Sequence, residues 1–331
     1  MVLIKKEIIN KIPTYYVDKD ITDDKMQKLK NTIVTKSQIK LILTEDADVY
    51  TVDEKLLLRF RKNKLTKTNI GEFYDNIIDF AMKKTDNRGS ASGSKYLANG
   101  KNPKIMTNIF GFFDTFSPKQ KMKMKTQKIQ ITARPCWFNV NFPEKYKQTI
   151  PLIQEIDTLY KKYIPASYKK QYDKAKQTHF HIDNTSFTTV TTNVNFQTTI
   201  HTDTGDDADG FGNLSVIEYG KYNGGETCFP QYGVGVDVRT GDVLFMDVHQ
   251  SHGNLPIDAK TEDAKRLSIV CYLRHNLWKK TKGKSKAFFD RQVSNVKKLT
   301  ERTFPIKVKT NKTNKTKKVK TNKTKKVRNK K

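Results

Sequence analysis

The spacing of apolar residues along the chain changes near residue 180. Before it, residues 151–177 repeat apolar side chains at helical spacing, and Pro165 divides the stretch, which predicts a helical hairpin. Beyond it, apolar and polar residues alternate and Thr, Val, Ile and Tyr are frequent, as in strands that bury one face. The predicted strands are 186–200, 214–219, 226–229, 234–238, 243–248 and 266–273.

The first 130 residues mix short apolar stretches with lysine-rich ones. A strand is predicted over 56–60 and an amphipathic helix over 72–84. Residues 86–100 are rich in Gly, Ser and Asn, which is typical of an exposed loop. We expect residues 1–130 to pack on the main domain and to extend it.

Short strands in series, with glycine-marked turns at 223–225 and 240–242, are typical of an antiparallel barrel or a double-sheet jelly roll. The predicted fold class is therefore α+β, with a double-stranded β-helix (jelly-roll) core over 131–300 and flanking helices. Residues 305–331 hold 13 Lys and Arg, no acidic residue and a tandem eight-residue repeat. They predict a disordered basic C-terminal tail.

Composition narrows the function classes. The 331 residues carry 63 Lys and Arg against 34 Asp and Glu, a net charge of +29, which favours an anionic partner such as nucleic acid. The three cysteines form no C-x-x-C pair, which argues against a disulfide framework and a cysteine-rich zinc site. Because no apolar run reaches the ~18 residues of a membrane span, we expect an intracellular, soluble protein.

Two histidines and an aspartate have the spacing of a metal site. His201 and Asp203 are two residues apart, so in extended backbone both side chains project from one face. His252 follows a later strand that a barrel can place opposite them. Two imidazoles and one carboxylate on one side of a metal are the arrangement of non-haem Fe(II) oxygenases. His249 competes with His252 as third ligand, but the glycine after His252 and its offset from the next motif favour His252.

That next motif is Arg266 and Ser268, which share one face of the strand 266–273. A guanidinium beside a hydroxyl inside an apolar barrel is costly to bury unless an anion pairs with it. A dicarboxylate such as 2-oxoglutarate supplies that anion, with its other end on the metal. Arg274, at the strand end, is expected at the surface. The opposite face of this strand carries the predicted core residues Leu267, Ile269, Cys271 and Leu273.

Three stretches resemble a known family: NVNFQTTIHTDTGD from residue 193, GGETCFPQYGVGVDVRTGDVLFMDVHQSHGN from residue 224, and RLSIVCYLR from residue 266. Together they resemble the core of the TET/JBP group of Fe(II)/2-oxoglutarate-dependent dioxygenases, above all the J-binding-protein thymine hydroxylase branch and related viral and fungal members. The resemblance covers roughly 150–275. It implies that His201, Asp203 and His252 bind iron, and that Arg266 and Ser268 bind the far carboxylate of the cosubstrate.

The resemblance also implies O2 as cosubstrate and the 5-methyl group of thymine or 5-methylcytosine in DNA as the target, and it leaves the choice of base open. Many members have Asn where this chain has Asp206. Asn195 is a further candidate for cosubstrate binding. Asn193, Asp206, Phe211 and Arg88 are candidates for substrate binding. Both asparagines are in register with the first histidine if their strand is unbroken.

The leading prediction is a dioxygenase that hydroxylates a pyrimidine methyl group in DNA, held near its substrate by non-specific phosphate contacts of the basic body and tail. Nuclear localisation, or association with viral or host DNA, follows as an expectation. The alternatives are a 2-oxoglutarate-dependent prolyl or lysyl hydroxylase and a non-catalytic jelly-roll binding module. Turnover with DNA against peptide, and metal content, distinguish the three.

Overall fold

The computed structural model describes residues 2–88, 91 and 103–301. The predicted tail at 305–331 and most of the loop predicted at 86–100 lie outside the described residues. No helix in the described part is long and apolar enough to cross a membrane. The helices in this part are α1 (Asp23–Leu29), α2 (Lys67–Ala81), α3 (Pro118–Thr126), α4 (Trp137–Asn141), α5 (Pro143–Tyr163), α6 (Pro165–Ala175), α7 (His275–Thr281) and α8 (Lys286–Glu301).

The described strands form two main sheets and a short ribbon, which confirms a mixed α+β fold. The ten-stranded sheet has the order β1-β2-β4-β5-β13-β9-β16-β8-β6-β7, the four-stranded sheet has the order β14-β11-β12-β3, and β10 pairs with β15. These strands are β1 (Val2–Ile9), β2 (Ile12–Asp18), β3 (Leu41–Leu43), β4 (Ala47–Thr51), β5 (Leu56–Arg61), β6 (Thr107–Phe113), β7 (Arg134–Pro135), β8 (Thr189–Val194), β9 (Gly212–Tyr219), β10 (Tyr222–Gly224), β11 (Thr227–Phe229), β12 (Val234–Val236), β13 (Val243–Met246), β14 (Gly253–Asn254), β15 (Ile257–Ala259) and β16 (Lys265–Tyr272).

The first 130 residues contribute strands to both main sheets. β5 pairs antiparallel with β13, β6 pairs antiparallel with β8, and β3 pairs parallel with β12. Backbone hydrogen bonds therefore bind the N-terminal part to the strands that carry the site. The division of the chain at residue 130 stays a prediction.

Helices cover one face of the ten-stranded sheet. Apolar side chains of α2 and α5, including Phe73, Ile153 and Tyr160, share a buried cluster with Leu267 and Ile269 of β16. The predicted hairpin is present as α5 and α6, with Pro165 in the first turn of α6, where proline is tolerated because its missing N–H has no partner to lose. The first helix of this hairpin, α5, begins at Pro143, which is earlier than the predicted start near residue 151.

The other face of the ten-stranded sheet packs on the four-stranded sheet. Phe229 and Val234 of the smaller sheet share a second buried cluster with Leu57, Leu214 and Leu244 of the larger one. Alternation along β16 places Leu267 and Ile269 toward the helices. Arg266 and Ser268 therefore face the space between the sheets.

The predicted strand 186–200 is broken, and the expectation of an unbroken run to His201 is wrong. β8 ends at Val194, and Asn195 adopts a left-handed backbone with φ of 48°. Its side chain fixes this break, since Oδ1 accepts from the Arg266 N–H at 2.7 Å and Nδ2 donates to the Ala264 carbonyl at 2.8 Å. Asparagine tolerates this conformation better than most residues. The register of Asn193 and Asn195 with His201 is lost.

Candidate active site

His201, Asp203 and His252 come together at one end of the space between the sheets. One ligand atom from each lies within 4.8 Å of the others. A pair of backbone hydrogen bonds, His201 N–H to His252 O and His252 N–H to His201 O, both 2.9 Å, joins the two ligand segments. His249 is exposed instead, so the structure places His252, and not its neighbour, beside the other two ligands.

Hydrogen bonds to backbone carbonyls orient both imidazoles. His201 Nδ1 lies 2.7 Å from the Thr199 carbonyl oxygen, and His252 Nδ1 lies 2.9 Å from that of Gln250. Because a carbonyl only accepts, each Nδ1 carries a proton, and in the neutral ring the Nε2 atom then presents its lone pair. The two Nε2 atoms lie 3.6 and 3.7 Å from the Asp203 carboxylate oxygens. Such carbonyl contacts fix the tautomer that a metal-binding histidine needs.

Gly253 permits this close approach. A Cβ atom there would lie 2.9 Å from Val34 Cγ2 and 3.1 Å from the Thr199 carbonyl oxygen, which is too close for any other residue without a shift. The glycine after the distal histidine thus lets the two ligand segments pack together.

The protonation states suit a cation. Burial, together with the neighbouring His252, lowers the pKa of His201. Burial alone would raise the pKa of Asp203, but His252 and Arg88 outweigh it and lower the pKa instead. A neutral imidazole and an ionised carboxylate are the forms in which these side chains bind metal.

Arg88 reaches the same atoms. Its Nη2 donates to His201 Nε2 at 2.8 Å and lies 3.7 Å from Asp203 Oδ1. It occupies the lone pair that a metal ion would use, so a metal can take that ligand only when the guanidinium moves away. The Arg88 side chain is 34% exposed and has room to do so.

Arg266 and Ser268 lie deeper in the space between the sheets than the three candidate metal ligands. The residue exposure of Arg266 is 5%, burial lowers its pKa, and its Nη2 has no hydrogen-bond partner among the described residues. Gly225, with φ of +80°, leaves the space beside it, since a Cβ there would lie 2.8 Å from Arg266 Cδ. A buried guanidinium without an acceptor is unfavourable unless an anionic ligand completes it. The donor set therefore fits a ligand that places a carboxylate at Arg266.

Asn193 lies beside Ser268 in this cavity. Its Nδ2 donates to Ser268 Oγ at 3.1 Å, while its Oδ1 accepts from Thr107 at 3.0 Å. The cavity that contains Arg266, Ser268 and Asn193 also includes all three candidate metal ligands. One continuous space thus connects the metal ligands with the guanidinium.

Two predicted site residues lie elsewhere. The side chain of Asn195 is engaged with backbone, as described above. Phe211 donates its backbone N–H to the Tyr160 hydroxyl at 2.7 Å and packs against the helix-side core. Neither residue lines the cavities around the metal ligands. The predicted binding roles of Asn195 and Phe211 find no support in this geometry.

A second cavity of about 380 Å³ opens beside the metal ligands. Asp206 lines it, and burial together with the Asp203 charge raises its pKa well above the usual range. Sequence reasoning missed Tyr272, although it lies on the same alternating face of β16 as Arg266 and Ser268. Phe113 and Arg274 also line this cavity, and the sequence pattern indicated neither of them as a site residue.

Arg274 is not at the surface, contrary to the expectation from its strand-end position. Its side chain is 16% exposed, pairs with the buried carboxylate of Asp114 and lies 4.2 Å above the Phe113 ring. Gly205 makes room for it, because a Cβ there would lie 3.1 Å from Arg274 Nη1. Asp114 is 160 residues away in sequence, so the strand pattern carried no sign of this pair.

Comparison with known proteins gives the same family. Residues 123–275 match the Tet_JBP family model, described as the oxygenase domain of the 2OGFeDO superfamily. The chain is 33% identical over 180 residues to the bifunctional helicase and thymine dioxygenase JBP2 of Trypanosoma cruzi (strain CL Brener), covering 54% of this chain and 16% of that protein. It is 30% identical over 200 residues to the thymine dioxygenase JBP1 of Trypanosoma brucei brucei, covering 60% and 22%. The chain thus spans less than a quarter of the length of these relatives.

A solved structure of NgTET1 in complex with 5mC DNA has a similar fold. The TM-score is 0.51 at 14% sequence identity, and the match covers 81% of this chain and 84% of that one. Over residues 123–275 this chain is therefore similar to the Tet_JBP oxygenase domains of the 2OGFeDO superfamily.

Proposed function

We propose that this chain is an Fe(II)- and 2-oxoglutarate-dependent dioxygenase that hydroxylates the 5-methyl group of a pyrimidine base in DNA. The observation that carries the proposal is one cavity with a His-Asp-His ligand set and a buried guanidinium whose Nη2 has no partner among the described residues. The family of the oxygenase domain and the names of its relatives support the same reaction. The two facing sheets around the site are assigned to a double-stranded β-helix.

His201, Asp203 and His252 would hold the metal from one side, which leaves positions open on the other. When bound, ferrous iron and 2-oxoglutarate use O2 to hydroxylate a C–H bond, with succinate and CO2 as products. The carbonyl contacts to both imidazoles keep the ligand lone pairs aimed at the metal position.

Arg266 and Ser268 would bind the far carboxylate of 2-oxoglutarate. A guanidinium can pair with a carboxylate through two parallel hydrogen bonds, and the Arg266 fork still has an unused donor. Asn193 holds the Ser268 hydroxyl in place. Because Arg266 and Ser268 are buried, each hydrogen bond that they would make to the carboxylate is stronger than it would be in water, where solvent competes.

The cavity of about 380 Å³ beside the metal ligands would receive the pyrimidine, and we call it the base cavity. A base in a duplex must rotate out of the stack to reach a buried site, at a cost of a few kcal/mol. The raised pKa of Asp206 favours the neutral acid form of its side chain, which offers one donor and one acceptor. Thymine and 5-methylcytosine each present both kinds of group, so Asp206 is compatible with either base. Tyr272 and Phe113 supply aromatic surface on the walls.

The positive charge of the chain would bring DNA to this cavity. A net charge of +29 favours association with phosphates at low salt, without sequence preference. Residues 305–331, all of whose charges are positive, would add to this attraction. Localisation near DNA, in a nucleus or with viral or host DNA, follows from the proposed substrate.

The test is direct. The protein is incubated with Fe(II), 2-oxoglutarate and DNA that contains thymine and 5-methylcytosine, and the DNA is then digested to nucleosides for mass spectrometry. We expect 5-hydroxymethyluracil or 5-hydroxymethylcytosine from the wild type and none from Asp203→Ala. His249→Ala, which removes an exposed histidine from the same loop, is the matched control and should retain activity.

Two results would contradict the proposal. Succinate formation that depends on a proline- or lysine-containing peptide and not on DNA would favour a protein hydroxylase. Protein that binds no metal and forms no succinate would favour a binding module.

A further inference from the structure

A second groove lies beside the base cavity and has no role in the chemistry proposed above. It encloses about 620 Å³ and shares Asn87, Ile109 and Phe113 with the base cavity. Phe113 therefore forms a common wall, and a chain that enters the base cavity can continue into this space. We call it the flanking groove; its lining residues used below are Phe80, Lys83, Lys84, Phe116, Arg134 and Trp137.

The flanking groove is positively charged. Lys83, Lys84 and Arg134 line it, and no acidic residue does. None of these three cations has a carboxylate partner in the part of the chain that the structure describes. Arg134 donates to the Thr115 carbonyl oxygen, at 3.3 Å from Nε and 3.2 Å from Nη2. The groove thus offers uncompensated charge to an anion.

Aromatic side chains alternate with these cations. Trp137 is 47% exposed, and Phe80 stacks against it with ring centroids 6.2 Å apart and planes 15° apart. Lys83 Nζ lies 4.3 Å from the Trp137 ring centroid, and Arg134 lies 5.5 Å above the Phe116 ring. An exposed cation on an aromatic ring gains only a little, so a phosphate can draw the Lys83 ammonium away and leave indole surface open.

Stacking surface interleaved with unpaired cations is the chemistry that binds single-stranded nucleic acid without reading its sequence. An acidic peptide would satisfy the charges but not use the rings. The lysine-rich segment 305–331 of this chain carries the wrong charge for this groove. Charge and rings together favour a nucleotide.

We propose that the flanking groove holds an unstacked nucleotide of the substrate strand next to the base being oxidised. Trp137 and Phe116 stack on its base, and Lys83, Lys84 and Arg134 contact its phosphates. This inference rests on the proposed function, because it takes the strand in the groove to be the one whose base enters the base cavity.

The test compares variants for binding of a fluorescein-labelled single-stranded oligonucleotide, by anisotropy over a range of salt concentrations. Trp137→Ala should weaken binding by about 5- to 160-fold, the range expected for loss of one stacked base. The plot of log K against log salt has a negative slope. Lys83→Gln with Lys84→Gln should make this slope less steep by about 1.4, or about 0.7 per lost phosphate contact. Both lysines are exposed, so the double variant should fold.

Matched controls separate the groove from general charge and general aromatic surface. Lys25→Gln with Lys28→Gln removes two exposed charges from α1, and Tyr219→Ala removes a half-exposed ring that lines neither cavity. Both should bind like the wild type. If Trp137→Ala and the Lys83/Lys84 variant also bind like the wild type, the inference is overturned.

DNA oxidation is measured in parallel, so that the two proposals can fail separately. Oxidised bases from the wild type, with binding unaffected by the groove variants, would overturn the groove and leave the function standing. Groove-dependent oligonucleotide binding without any oxidised base would support the groove as a strand site and contradict the proposed reaction. Equal competition by a polyglutamate peptide, undiminished in Trp137→Ala, would also overturn the inference.

Discussion

Replacing Arg266 by methionine should have opposite effects on the stability of the free protein and on cosubstrate binding. Arg266 is 5% exposed and its Nη2 lacks a partner among the described residues, so the free protein bears a desolvation cost with little return. Replacing a buried charge by an apolar side chain of similar length is often stabilising, by about 1–4 kcal/mol. We expect Arg266→Met to raise the free energy of unfolding in urea by about 1–3 kcal/mol.

The same substitution should remove binding of 2-oxoglutarate. Loss of one partner from a buried charge pair costs about 2–5 kcal/mol, which corresponds to a roughly 30- to 5,000-fold rise in Kd. Calorimetric titration of 2-oxoglutarate into the Mn(II)-loaded protein measures it. Lys265→Met is the matched control, since it removes a positive charge from the neighbouring position, whose side chain is on the other face of the strand. The reasoning is refuted if Arg266→Met destabilises the free protein and still binds 2-oxoglutarate normally.

Further predictions concern the metal ligands and the walls of the base cavity. Mn(II) at a hundredfold excess over Kd should stabilise the wild type by about 2.7 kcal/mol, which is measured as a rise in melting temperature. Asp203→Ala should abolish this rise, and an undiminished rise would argue against the ligand assignment. Arg88→Met should tighten Mn(II) binding about fivefold without cosubstrate, because the lost hydrogen bond is worth about 1 kcal/mol, while weaker binding in calorimetry would mean that Arg88 supports the metal. Burial alone would raise the pKa of Asp114, but Lys280 and Arg274 outweigh burial and lower it. The contribution of the Asp114 carboxylate to folding stability is therefore present above about pH 3.9 and is lost as the pH falls below that value. Asp114→Asn should therefore cost about 2 kcal/mol in urea unfolding at pH 7 and progressively less below about pH 4, and a difference independent of pH would contradict the pairing.

Local patterns predicted which side chains share one face of a strand, because that depends on neighbouring residues alone. Alternation along β16 separated Arg266 and Ser268 from the core residues, and the structure puts Leu267 and Ile269 in the helix-side core. The i, i+2 spacing of His201 and Asp203 likewise indicated convergence. A period of two depends only on extended backbone, which neighbouring residues determine.

Features that depend on distant partners were not predictable in this way. The break at Asn195 is fixed by hydrogen bonds to Arg266 and Ala264, about 70 residues later. Arg274 is held in the base cavity by Asp114, and its own surroundings in sequence are polar. The insertion of N-terminal strands into both sheets requires pairing between residues far apart, as in Arg61 with Val243. Such contacts come from topology, which a single sequence does not display.

Titration of 2-oxoglutarate with and without Mn(II) tests the central claim most directly, because the claim is that one pocket holds the metal and the diacid together. The account predicts tight binding only when metal and Arg266 are both present, with each of Asp203→Ala and Arg266→Met removing it. Equal affinity in the absence of metal, or binding unaffected by loss of Arg266, would contradict the account.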